Sequence, residues 1–318
     1  MKKLRVGVIG AGYLGTYHIQ KYSRMDDVDL VGVVDIDRSK AEDAAMKAKT
    51  TAHQDYRNLF GKVDAVSIVV PTPSHFQVAK DFLKNDTDVL IEKPMTRTLE
   101  EADELIRFSE SKGLILQVGH LERFNPAVVA LRGVVGKPMF IESHRLGIFK
   151  NRSTDVSVVL DLMIHDIDII LNLVRSEIVD IRAAGVPVIS EHIDIANARL
   201  EFKTGCVANV TASRISTKDE RKIRMFQKDA YISVDFANKG ITIINRDSTA
   251  DHGLIPGMDI KQLSFPERDA LEDELRSFVN AVNKRVTPEV TGQMGRDALK
   301  IALNIMRQIS DTRNRVLG

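Results

Sequence analysis

The feature that most constrains this chain is a short stretch near its start, Val6-Gly7-Val8-Ile9-Gly10-Ala11-Gly12-Tyr13-Leu14-Gly15. Val6, Val8 and Ile9 read as a buried strand, and the turn Gly10-x-Gly12-x-x-Gly15 follows it directly. In such a turn the first glycine permits the sharp bend and the second lets main-chain N–H groups approach a pyrophosphate. The third lets the next helix pack against the strand. The positive end of that helix then faces the phosphates. A second apolar run, Leu30 to Val34, ends at Asp35, 20 residues after Gly15. A carboxylate there accepts hydrogen bonds from both hydroxyls of an adenosine ribose. A structural glycine turn alone would not need the acid, so strand, turn, helix, strand and acid together point to a dinucleotide.

The pattern continues as alternating strands and helices. Val63–Val70 is a buried strand ending at Pro71-Thr72-Pro73-Ser74-His75, with Ser74 expected to cap the following helix. Asp88–Ile91 is a short strand ending in Glu92-Lys93-Pro94, and Thr98-Leu99-Glu100-Glu101 opens a helix with acids in its first turn. Leu114–Val118 ends at Gly119-His120. This alternation predicts a doubly wound parallel sheet, in which ligands sit at the carboxyl ends of the strands. Gly10, Asp35, Pro71, Lys93 and His120 all fall at such ends.

After Asn125-Pro126 the pattern changes. A helix is expected to about Val135, a strand over Met139–Leu146 and a long helix over Asp155–Val174. Strands are expected at Ile178–Val186, Asp194–Phe202, Cys206–Ile215, Ala230–Asp235 and Gly240–Ile244. Strands in succession imply a largely antiparallel sheet. Residues 246–267 read as a long loop able to cover a site, and the basic run Lys218–Arg224 as a solvated hairpin end. Two amphipathic helices, Asp269–Lys284 and Met294–Asp311, close the chain. The expected division is therefore residues 1–122 and 123–318, with the C-terminal helix free to pack back on the first domain.

The second half contains Asp161-x-x-x-His165-x-x-Asp168. On a helix Asp161 and His165 share a face, and a carboxylate one turn from an imidazole orients it and raises its basicity. The same spacing suits a salt-bridged helix face. A metal reading lacks a second histidine or a cysteine at ligand spacing, so no metal is expected.

Composition excludes several classes. With 45 Lys+Arg against 44 Asp+Glu the net charge is +1, which favours neither nucleic acid nor an anionic membrane as partner. No apolar run approaches the ~20 residues of a spanning helix. Met1-Lys2-Lys3 only imitates a signal peptide, because the apolar run behind it is short and enters the glycine turn. The single cysteine, Cys206, cannot form an internal disulfide and fits a reducing cytoplasm.

These motifs, together with Arg123-Phe124-Asn125-Pro126 and Gly292-x-x-Gly295-Arg296-x-Ala298-Leu299, make the chain resemble the glucose–fructose oxidoreductase / inositol dehydrogenase / MocA-type (Gfo/Idh/MocA) family over its whole length. The resemblance implies a Rossmann domain followed by an α/β domain on an open, mostly antiparallel sheet. The implied activity is NAD-dependent oxidation of a sugar or polyol hydroxyl in a homodimer or homotetramer, with NADP as the alternative cofactor. Lys93 matches the lysine that contacts nicotinamide ribose and reacting hydroxyl, and Asp161 and His165 match the acid and the catalytic histidine. The expected cofactor contacts are Gly10, Gly12, Tyr13, Leu14, Gly15, Asp35, Ile36, Pro71, Thr72, His75, Glu92, Lys93 and His120. The expected substrate contacts are Arg123, Arg145, Asp161 and His165. Gly119–Ala127, Glu142–Leu146 and Asp161–Asp166 resemble a branch that oxidises UDP-N-acetylhexosamines at the ring 3-hydroxyl. A free sugar or inositol-like polyol is the second reading. A non-catalytic dinucleotide sensor is the third, and it would not need Lys93 and His165.

Asp35 and Asp37 favour NAD, since both would repel a 2′-phosphate, whereas Arg38 could accept one. The strands Ile195–Phe202 and Val207–Ala212 alternate small apolar residues with Asn197, Arg199, Asn209 and Thr211. They leave a sheet face carrying few charges and suited to two-fold self-association.

Overall fold

The computed structural model describes residues 3–149, 156–238, 240–246, 257–265 and 268–317. The chain forms two compact units, residues 1–121 with 269–297, and residues 122–268 with 298–318.

The first unit opens with β1 (Leu4–Ile9), α1 (Tyr13–Tyr22), β2 (Val28–Val34), α2 (Arg38–Ala48) and β3 (Thr51–His53). It continues through β4 (Ala65–Ile68), α3 (Thr72–Lys84), β5 (Asp88–Glu92), α4 (Leu99–Lys112) and β6 (Leu116–Gly119). The six strands are all parallel, in the order β3-β2-β1-β4-β5-β6. The chain leaves β1 toward one edge and returns at β4 to fill the other, so β1 and β4 flank the switch point where doubly wound sheets bind ligands. Helix α4 starts at the expected place because Thr98 and Glu101 form a reciprocal capping box. Helix α3 starts two residues before the expected Ser74 cap, since Pro71 already closes its first turn through a 2.9 Å bond from the Ser74 N–H.

The second unit contains α5 (Pro126–Leu131), β7 (Phe140–Leu146), a π turn over Val159–Met163, α6 (Ile164–Val174), β8 (Ile178–Val186), β9 (Ile195–Phe202) and β10 (Val207–Ser213). Four further strands follow, β11 (Glu220–Gln227), β12 (Ala230–Asp235), β13 (Gly240–Arg246) and β14 (Met258–Ser264). Its eight strands run β14-β13-β12-β11-β7-β10-β9-β8, antiparallel except for the parallel pair β7–β10. One face of this sheet is dry, with Ile141, Ala198, Leu200, Ala208, Val210, Ile223 and Met225 completely enclosed together with Ile167 and Ile170 of α6.

The chain ends with α7 (Ala270–Lys284) and α8 (Gly292–Leu317). Here the division differs from the expected one, because residues 269–297 belong to the first unit. The reason is the apolar stripe of α7. Leu275, Phe278, Val279 and Ala281 are buried in one cluster with Ile19 and Tyr22 of α1. Lys21 pairs with Asp269, and Arg285 clamps both oxygens of the buried Asp88 at 2.7 and 2.8 Å.

Two strands replace expected irregular segments. The run Lys218–Arg224 is not a hairpin end but enters β11, whose Ile223 and Met225 point inward while Lys222 and Arg224 point out. The expected loop over 246–267 contains β14, paired along β13 from Gly240 to Arg246; residues 247–256 lie outside the described residues. In β11, charged residues on the outward face conceal a period of two. The expected long helix likewise begins with a π turn, and residues 150–155 lie outside the described residues. No described helix is long and apolar enough to cross a membrane.

Candidate active site

In the first unit the glycine turn has the geometry that its spacing demands. Gly10 adopts φ +106°, and a Cβ there would lie 2.4 Å from the Val69 carbonyl oxygen; a Cβ at Gly15 would lie 2.0 Å from the carbonyl oxygen of Gly10. At Gly12 nothing lies within 4 Å of a Cβ position, so the space above the α1 N-terminus is open. No side chain caps that helix start, leaving main-chain donors for an anion.

A cavity of about 540 Å³ adjoins this turn, lined by Gly10, Gly12, Asp35, Ile36 and Pro71 with Gln54, Tyr56 and Val70. Asp35 anchors it, accepting the Ala11 N–H through Oδ2 at 2.8 Å and the Asp37 N–H through Oδ1 at 2.9 Å. A carboxylate offers about four lone-pair sites. One on each oxygen therefore remains, enough for two ribose hydroxyls. An open phosphate cradle, a carboxylate with capacity to spare and an apolar slot fit a bound NAD. Ile36 is 90% exposed at the rim. Tyr13 is also exposed, and Leu14 and Thr72 are half-buried. Gln54 and Tyr56 were not legible as lining, because they come from the chain after the three-residue edge strand β3.

Two expected cofactor contacts, His75 and Glu92, also have internal partners in this structure. His75 is buried, with Nε2 2.8 Å from the Val70 carbonyl and Nδ1 3.0 Å from that of Pro94. Burial pushes its pKa down despite those acceptors, and the ring ties the end of β4 to the loop after β5. Glu92 turns inward, its Oε1 3.4 Å from His18 Nε2 and its Oε2 accepting the Lys93 N–H at 3.3 Å. His120 is buried at the end of β6, whereas Lys93 remains half-buried.

In the second unit the motif residues divide into a buried ionic layer and an accessible pair. Arg145 on β7 donates twice to Asp166 Oδ1, at 3.1 and 2.7 Å, and once to Glu122 at 2.9 Å. Its guanidinium also lies 5.8 Å from the Phe236 ring centroid. Burial opposes ionisation of Glu122, but the Arg145 charge prevails and holds its carboxyl below the ordinary range. Arg123, only 1% exposed, lies 3.5 Å from Asp168. In this structure the expected substrate arginines, Arg123 and Arg145, pair internally with acids on and beside α6.

Asp161 and His165 are half-buried, while Met163, Ile164 and Asp166 around them are buried. Asp161 lies in the π turn, where the Ile164 N–H reaches back five residues to the Val159 carbonyl. Such turns recur at functional sites. Among the described residues, no three His, Cys, Asp or Glu side chains are grouped to hold a metal ion.

Residues 4–120 match the oxidoreductase family described as an NAD-binding Rossmann fold, and residues 127–233 match the Gfo/Idh/MocA C-terminal domain. The chain belongs to the Gfo/Idh/MocA oxidoreductase family. It is 40% identical over 306 residues to a UDP-N-acetylglucosamine 3-dehydrogenase of Acidithiobacillus ferrooxidans, covering 96% of this chain and 97% of that one. A solved structure of that relative superposes with a TM-score of 0.92 at 39% identity, over 97% and 98% of the two chains. A myo-inositol 2-dehydrogenase of Thermotoga maritima is 25% identical over 98% of both chains. The protein is accordingly a dehydrogenase built on an NAD-binding domain.

Arg145→Met leaves Asp166 and Glu122 buried without their cation, and should lower unfolding stability by ~3–5 kcal/mol. Arg199→Met, which breaks an exposed pair with Glu201, should cost only ~0–1 kcal/mol. Urea unfolding of both variants gives the comparison.

Proposed function

We propose that the protein oxidises a ring hydroxyl of a UDP-linked N-acetylhexosamine, with UDP-N-acetylglucosamine as first candidate and NAD as preferred cofactor. The observation that carries this reading is the whole-chain likeness to the Acidithiobacillus ferrooxidans enzyme, far stronger than that to the inositol dehydrogenases. The motif residues supply the chemistry. Bound NAD would accept the hydride from the alcohol carbon. His165 takes the hydroxyl proton on an imidazole nitrogen, and Lys93 favours the developing alkoxide with its ammonium group. Asp161 orients the imidazole.

Lys93→Ala and His165→Ala should each cut turnover of UDP-N-acetylglucosamine by at least ~100-fold and leave NADH binding nearly intact. Near-normal kcat in His165→Ala would refute the role. Turnover of myo-inositol in place of the nucleotide sugar would move the substrate to the polyol class.

The geometry at Asp35 supports a preference for NAD. A 2′-phosphate would meet that carboxylate and Asp37, while Arg38 is committed to Glu42 at 2.7 Å. NADPH should bind at least ~10-fold more weakly than NADH, about 1.4 kcal/mol, by fluorescence titration.

The outer sheet face of the second unit supports a homodimer. It carries Asn197, Val207, Asn209 and Thr211, and an aromatic run of Phe140, Phe226 and Tyr231 with centroids 5.8 and 5.1 Å apart. It is more charged than two strands alone suggested, because β7 and β11 add Glu142, His144, Lys222 and Arg224. Arg224 nevertheless pairs with Glu142, and His144 with Glu220, each at 3.5 Å. A largely self-neutralised face with exposed aromatics suits a two-fold contact. Light scattering should show a dimer or tetramer, and Phe226→Asp should shift it toward monomer.

A further inference from the structure

Helix α7 carries a charge where its pattern calls for an apolar residue. Glu274 lies on the stripe of Leu271, Leu275 and Phe278 and is 0% exposed. Among the described residues, neither of its carboxyl oxygens has a hydrogen-bond partner. The helix is tied down beside it by Gln117, whose Nε2 donates to the Glu274 carbonyl at 3.3 Å.

A second carboxyl, that of Glu92, lies on the same stretch of sheet, since Glu92 pairs with Gly119, two residues beyond Gln117 on β6. Glu92 is placed differently, because it accepts the Lys93 N–H through one oxygen and faces His18 Nε2 through the other. His18 is itself steered by a 2.8 Å bond between its Nδ1 and the hydroxyl of Ser67. Gly119 leaves room for the carboxylate, since a Cβ there would stand 2.8 Å from Glu92 Oε1. The other titratable groups packed here are Tyr22 and His18 of α1, both 0% exposed. Among the described residues, no lysine or arginine pairs with Glu274.

We propose that Glu274 is a positioning residue, a buried carboxyl that keeps its own proton and so places no charge beside the Glu92 carboxyl that holds the main chain at Lys93. The proposal rests on the reading in which Lys93 acts at the reacting hydroxyl. Two carboxyls in a dry space do not ionise together. Their surroundings decide which one stays protonated. Glu92 has an N–H donor and an imidazole beside it, whereas Glu274 has neither. Burial first, and the Glu92 charge second, push the Glu274 carboxyl well above the ordinary glutamate range. If Glu274 also ionised, the repulsion would fall on Glu92, and the turn it caps would move with it.

The test uses the full chain and its Glu274→Gln variant, which keeps the shape but cannot ionise. Infrared difference spectra at neutral pH should show a protonated-carboxyl band in the wild type that the variant lacks. The variant should also melt higher than the wild type by a margin absent at acid pH. That margin should grow as pH rises above the ordinary glutamate range, because a raised folded-state pKa makes the buried acid increasingly destabilising there. Wild-type NADH affinity and kcat should both fall at alkaline pH, and the variant should lose that fall. A merely structural role would leave the two pH profiles alike. If Glu274→Gln does not fold, Glu274→Met, matching the apolar stripe, should show the same flattened profiles.

Absence of the carboxyl band, a melting margin independent of pH, or unchanged profiles of NADH affinity would each overturn the proposal. None of these three readouts needs the sugar. Failure to turn over any alcohol would therefore count against the substrate reading and leave this one to be decided separately.

Discussion

The approach of α1 to the end of β1 is the constraint on which the first unit depends. A Cβ at Gly15 would lie 2.0 Å from the Gly10 carbonyl oxygen, so only glycine lets the helix cross there. That crossing aims the helix start at the open space over Gly12 and turns His18, Ile19 and Tyr22 into the core. The face so formed is the one that α7 covers. The cofactor turn and the buried carboxyls are therefore two consequences of one close contact, and Glu92 joins them to Lys93 through a single N–H.

In the second unit the organising element is charge rather than close approach. Arg145 holds Asp166 and Glu122, and Arg123 faces Asp168, all with little or no exposure. Burying such ions gains little stability over apolar residues of the same size, yet removing one partner is costly. Their effect is to specify register. Asp166 and Asp168 can meet their arginines only if α6 keeps one rotation against β7. That rotation leaves Asp161 and His165, on the same short stretch, at the accessible edge of the layer.

Elements whose chemistry is local were legible. The capping box at Thr98 and Glu101, the strand Ala230–Asp235 and the helix end at Lys284 all fall where their own residues place them. Segments whose neighbours decide their state were not. β14 exists because β13 offers it an edge, and β11 because Ile223 and Met225 complete a core supplied by other strands. Nothing near Glu274 in the sequence names Glu92 as its neighbour.

Residue order alone determined the dinucleotide turn, the acid after β2, the parallel-then-antiparallel plan and the family, because each rests on short-range spacing and on which residues tolerate which backbone. Only the tertiary structure decided that α7 belongs to the first unit, that His75 and Glu92 have internal partners, and that Arg123 and Arg145 pair internally with acids. The physical reason is the same in each case. An arginine or a glutamate reads alike in sequence whether it meets a ligand, water or an opposite charge. Burial and the partner a hydrogen-bond length away separate these outcomes, and both are set by residues far off along the chain.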